Sequence, residues 1–350
     1  MSFKRLSLTV GLALTTLLLL VPDPGSLAEE PSGDDTTLHL FDEGGVWPAD
    51  YCPPELDPMY PSYNPWQTYY GRNGYIEYVP GNMPIIISAP HGGNLRPDEI
   101  PDRTWGMLLG DPNSIEYARE VVAYIQQWTD RRPHLIINHL HRTKMDANRE
   151  IGEAAQGNPY AEQAWTEYHA FIQDAKDSVT ADWGEGHYFD FHINIHDAEW
   201  TEIGLGLNGG DLAHSDQELN TAYYKNKSHL KSLVANPDVY FPGAVRGPTS
   251  LGGYLEQYGY KTVPSPTHPG PDGNDMYYTG YNTYCHGPNL GGTINSTQVE
   301  TYLHFVLPDV RDAYSHALAQ TILLFLRAHY GLTFQEFDHQ VYLPMIMSAD

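Results

Sequence analysis

Cysteine is nearly absent: the 350-residue chain has two, Cys52 and Cys285. That excludes a disulfide scaffold and a Cys-rich zinc module. Cations are also scarce, 19 Lys+Arg against 44 Asp+Glu, for a net charge of −25 with His neutral. A nucleic-acid backbone is bound by clustered cations that release counterions, so no nucleic-acid partner is expected. After Val21 no apolar run approaches the ~18 residues of a membrane span. Hydrophobic residues still make up 41% of the chain, enough for a sizeable core and against wholesale disorder. The excess lies in 17 His, 26 Tyr and 7 Trp, which suggests a polar, aromatic-lined site.

Lys4 and Arg5 precede an apolar run from Leu8 to Val21, which Pro22 and Pro24 break; Ser26-Leu27-Ala28 then offers small residues before Glu29. This is the pattern of a secretory signal peptide. Residues 1–28 are therefore expected to be removed, leaving a secreted or cell-envelope protein without a membrane span. In an oxidising compartment Cys52 and Cys285 can pair if their Cα atoms come close enough.

Residues 29–82, rich in Pro, Asp, Gly and Tyr, read as an extended arm laid on a domain over 83–335, with a tail at 336–350. Pro84 to Ala89 and Leu135-Ile136-Ile137 are apolar runs of buried-strand type. Asp111-Pro112-Asn113-Ser114 signals a helix start, and apolar spacing predicts a helix over 115–128. Further helices are expected over 160–179, with Trp165, His169, Phe171 and Ile172 inward, and over 212–234 and 310–330. Residues 188–196 alternate as a strand does, and Val341 to Ile346 read as a strand-like end. Strand–helix alternation implies an α/β fold, a three-layer mixed sheet with helices on both faces and ligands at the strands' carboxyl ends.

Four constellations can carry chemistry. Pro90-His91-Gly92-Gly93 places an imidazole and open backbone just after a buried strand, suited to a metal ligand or an oxyanion corner. In Tyr188 to His196 the period of two puts Asp190, His192, Asn194 and His196 on one face; two imidazoles and a carboxylate are parts of a metal site. The bland alternative is a solvated sheet face. In Arg142 to Glu150, a guanidinium beside an amide can clamp a substrate carboxylate, although a surface salt-bridge network is the commoner fate of such residues. Glu300, within Ser296 to Tyr302, is a candidate general base on a short strand.

The order Pro-His-Gly-Gly, then Asp146-Ala147-Asn148-Arg149, then Asp190-Phe191-His192, then Gln298-Val299-Glu300 resembles the N-formylglutamate amidohydrolase family, related in fold to the zinc carboxypeptidases. Gly204 to Gly210 and Gly252-Gly253-Tyr254 resemble two further segments of that family. The resemblance spans about Pro84 to His329 and implies a zinc exopeptidase-like catalytic domain. It implies a Zn2+ ion held by His91, a carboxylate and His192 or His196, with Glu300 as base. Asn148 and Arg149, joined by Arg142, would hold the carboxylate of a small acyl-amino acid or peptide substrate. The carboxypeptidases carry a Glu three residues after their first ligand His, where this chain has Asn94; Asp111 is the first candidate for the missing carboxylate and Glu99 the second. A helix N-cap is the alternative role of Asp111. A secreted zinc carboxypeptidase, a cell-wall peptide amidase and a non-catalytic polymer-binding protein remain as alternatives.

Overall fold

The computed structural model describes residues 51–274 and 276–333. The expected signal segment, the first part of the arm and the tail with its strand-like 341–346 lie outside the described residues. Eight strands form one sheet: β1 (Tyr69–Tyr70), β2 (Ile76–Val79), β3 (Ile85–Ala89), β4 (His134–Asn138), β5 (Gly186–Asn194), β6 (Thr201–Gly204), β7 (Thr262–Val263) and β8 (Ile294–Tyr302). Their spatial order is β1-β2-β4-β3-β5-β8-β6-β7. The middle four, β4-β3-β5-β8, run parallel, while β2 joins β4 and β6 joins β8 antiparallel. The helices are α1 (Ser114–Thr129), α2 (Ile151–Ala155), α3 (Pro159–Trp183), α4 (Gly209–Leu212), α5 (Asp216–Leu219), α6 (Ala222–Lys227), α7 (Phe241–Arg246), α8 (Leu251–Gln257), α9 (Tyr281–His286) and α10 (Arg311–Tyr330).

Successive strand residues point to opposite faces, and both faces are covered. Ile85, Ile87, Phe189, Phe191 and Val299 share a core with Tyr117, Val121 and Ile125 of α1 and Leu318 and Ile322 of α10. Ile86, Ile136 and Tyr188 face the other way, against Trp165, Tyr168, Phe171 and Ile172 of α3. The three-layer mixed sheet expected from the sequence is therefore present. Helix α3 starts where Asn158 accepts from the N–H groups of Tyr160 and Ala161, with Pro159 in the first turn.

Three segments differ from expectation. The helix expected over 212–234 is broken into α4, α5 and α6 and a single 3-10 turn, because two capping boxes, Asn208 with Asp211 and Ser215 with Glu218, restart the chain. Residues 69–79, read as part of the arm, extend the sheet as β1 and β2; Tyr78 and Ile76 are buried there. The strand carrying Glu300 is nine residues long, not short. Cys52 and Cys285 form a disulfide with Cα atoms 5.3 Å apart, tying the start of the described chain to α9 across 233 residues. No helix among the described residues is long and apolar enough to cross a membrane.

Candidate metal centre

Parallel strands end at the same edge, so residues far apart in sequence meet there. His91 follows β3 by two residues, His192 lies near the end of β5, and Glu300 is its direct neighbour on β8. Asp111 precedes α1. It is not the helix cap: Asn113 holds that position, without a side-chain bond. His91, Asp111 and His192 are all buried and each offers a ligand atom within 4.8 Å of the others.

The two imidazoles are held alike. His91 Nε2 lies 2.7 Å from Asp146 Oδ1, and His192 Nε2 lies 2.9 Å from Asp190 Oδ2. Both Nδ1 atoms turn to Asp111 Oδ2, at 3.4 Å from His91 and 3.0 Å from His192. A carboxylate behind each imidazole selects its tautomer and aims the opposite nitrogen, the arrangement behind histidine ligands of metals. His91 Nδ1 is buried and has no hydrogen-bond partner. An orphaned lone pair beside a carboxylate and a second imidazole fits a divalent cation, and a His–Asp–His set suits zinc among other transition metals.

The electrostatics point the same way. Burial would raise the Asp111 carboxyl, but the charge of His91, with the hydrogen bond and charge of His192, holds it well below the usual range. Burial would lower His192; the charges of Asp190 and Glu300, with bonds to Asp111 and Asp190, push it well above the usual imidazole value instead. A buried pocket that draws a proton onto an imidazole is one that favours positive charge. Glu300 is pushed up to about 8, by burial first; His192 opposes this, Asp111 and Glu202 add to it, and a 2.7 Å bond from Gln298 Nε2 opposes it.

Other expected residues fall elsewhere. His196 lies beyond the end of β5; its Nδ1 is 2.5 Å from Glu202 Oε1 and its ring stacks on Tyr277, outside the His–Asp–His cluster. The bland reading of residues 188–196 as a solvated face does not hold for Asp190, His192 and Asn194, which are buried. Glu99 is engaged by Arg72, Asn73 and Tyr75. Arg142 is buried and donates to Asp146 and to the Leu109 carbonyl. Asn148 accepts from the Asn282 N–H and lies 3.3 Å from His192 Nε2. Arg149 is the most accessible of the three, its side chain 32% exposed and 3.4 Å from Glu153. The expected carboxylate clamp is thus present as residues, with Arg142 and Asn148 already committed inside the protein. Sequence reading did not single out Asp146 and Asp190 as the groups orienting the imidazoles; their place inside the two motifs, two residues before Asn148 and two before His192, was the available signal.

No family model matches the chain, and no curated protein matches it. Among solved structures it is similar to a gene product of Agrobacterium tumefaciens, at 12% identity and a TM-score of 0.42 over 71% of this chain and 92% of that one. It is also similar to N-formylglutamate amidohydrolase from Ralstonia eutropha JMP134, at 12% identity and a TM-score of 0.40 over 73% and 97%. A metallo-carboxypeptidase from Burkholderia cenocepacia matches at 12% identity and a TM-score of 0.30 over 72% and 61%. At this distance the likenesses assign no activity.

Proposed function

We propose that the protein is an exported, metal-dependent hydrolase that cleaves an amide C–N bond in a substrate bearing a free carboxylate, of the N-formylglutamate amidohydrolase type. The observation that carries this reading is the convergence of two carboxylate-backed imidazoles on one buried carboxylate, with Glu300 on the neighbouring strand. His91, Asp111 and His192 would hold the ion, zinc by the chemistry of the donor set. Bound there, such an ion supplies Lewis acidity, polarising an amide carbonyl and making water more acidic. Glu300, in register with His192 on the neighbouring strand, takes a proton from water in its ionised form and delivers it to the leaving nitrogen. Arg149 is the cation free enough to meet the substrate carboxylate, exchanging Glu153 for it; Arg142 serves by holding Asp146. Positioning of the amide is where much of the rate would come from.

Asp111 stands between the imidazoles, so the lack of an acid at Asn94 leaves no gap in the donor set, and this favours the enzyme over a non-catalytic binding protein. Export is supported by the disulfide, which persists in oxidising compartments. There, cell-wall peptides or scavenged acyl-amino acids are the substrates in reach. Metal content per chain tests the reading. About one zinc per protein is expected for wild type and His196→Ala, and loss is expected in His91→Ala and His192→Ala. Wild type that takes up no metal after zinc is supplied would end it.

A further inference from the structure

The outer nitrogen of His192 faces two groups, Asp190 Oδ2 at 2.9 Å and Asn148 Nδ2 at 3.3 Å. Both residues are held by a third, Asn282, which is fully buried in α9. Its backbone N–H donates to Asn148 Oδ1 at 2.8 Å and its Nδ2 donates to Asp190 Oδ2 at 3.1 Å. Asn282 Oδ1 is buried without a partner, so the bond to Asp190 decides which way the amide faces. The chain enters α9 hard against the site: a Cβ on Gly280 would collide with Gln298 Oε1.

Helix α9 has six residues, and the side-chain bond at its start is a local one, Thr283 Oγ1 accepting from the Gly280 N–H at 3.1 Å. A helix that short does not hold itself, so its place comes from tertiary anchors. The covalent one is Cys285, three residues after Asn282 and bonded to Cys52; beside it Tyr281 Oη donates to the Tyr51 carbonyl at 2.7 Å. An unbroken line of bonds therefore runs from the disulfide through α9 and Asn282 to Asp190, and from there to His192.

We propose that Asn282 is a positioning residue of the metal centre, and that the Cys52–Cys285 disulfide, by anchoring α9, makes metal affinity depend on thiol–disulfide state. This rests on the metal reading above. Reduction by a phosphine breaks the S–S bond; each sulfur gains one electron and one proton, and the phosphine is oxidised with the oxygen of one water. Outer groups that orient a ligand histidine are worth 10- to 100-fold in metal affinity, and Asn282 acts one bond further out, so a loss of about tenfold is expected.

The test is zinc affinity by competition with a chromogenic chelator, together with the d–d absorption of the cobalt(II) form. It compares the full mature chain as wild type, phosphine-treated wild type, Asn282→Ala and a Cys52→Ser/Cys285→Ser double variant. Weaker affinity and a shifted cobalt spectrum in all three altered forms, with cooperative unfolding retained, support the proposal; a merely structural role would leave the cobalt spectrum unmoved. Wild-type affinity and spectrum in Asn282→Ala overturn the positioning role. The same result in the double variant and the phosphine-treated protein overturns the disulfide link, and these two carry the test if Asn282→Ala does not fold. Wild type that binds neither metal overturns the metal reading itself, an outcome seen before any variant is compared.

Discussion

At the scale of single residues, the site turns on which groups are aimed and which are spent. His192 and His196 sit on one face by a period of two, and the alternation by itself cannot choose between them. The strand stops at Asn194, so His192 stays in register with Glu300 while His196 turns to Glu202. Where a strand ends is decided by pairing with β8, which residues 188–196 do not encode locally. Glu300→Gln removes the proton acceptor and keeps the shape: kcat is expected to fall about 10²- to 10⁴-fold with metal content unchanged, read by steady-state kinetics on an N-acyl amino acid beside metal analysis. Arg149→Ala removes the accessible cation, and a rise in KM of about tenfold or more is expected with a smaller change in kcat; no change in KM would show that the carboxylate is met elsewhere. His91 and His192 were legible as candidates because their motifs are compact, while Asp111 and Glu300 gained their roles from the family resemblance. The spent state of Arg142 and Asn148 was not, because their partners lie on other segments.

Among elements, those with strong local signals form where the pattern predicts. Strands β3 and β4 are continuous apolar runs, α1 and α10 have apolar faces at helical spacing, and α3 carries a cap and a proline at its start. The region of α4 to α6 has enough apolar residues for one long helix, but Asn208 and Ser215 each satisfy backbone donors locally and restart the chain. Local hydrogen bonding there outweighs periodicity. The Asn158 cap contributes in the same currency: Asn158→Ala should cost about 1 kcal/mol and lower Tm by about 2–4 °C, measured by thermal unfolding, with metal affinity unchanged because the Asn158 side chain bonds to Tyr160, Ala161 and Glu99 and not to the groups around the metal centre. An unshifted Tm would show that Pro159 and burial alone define the start of α3.

The whole molecule is built from strands buried on both faces, and this has a cost in acid. His134, His169, His187 and His229 are enclosed so fully that desolvation lowers each to about 3. The unfolded chain takes up protons at these positions below its ordinary value near 6.5 and the folded chain does not, so stability present above pH 6.5 is lost as pH falls towards 3, by up to about 1.4 kcal/mol per unit for each group. Glu77, lowered to about 2 against desolvation by His139 and Arg119, adds a loss in the same direction below pH 4.5. Denaturant midpoints should therefore fall steeply between pH 6.5 and 4; a flat profile would show that these imidazoles take up protons in place. By itself the sequence determined the α/β class and the helices and buried strands with strong periodicity, which follow from spacing within one segment, and through its family resemblance a short roll of metal-site candidates. Only the tertiary structure decided that His192 and not His196 joins His91, that Asp111 and not Glu99 stands between them, that Asp146 and Asp190 back the imidazoles, and that Cys52 meets Cys285. Each of those depends on strand order and register, which bring together residues tens to hundreds of positions apart, and no local pattern carries that distance.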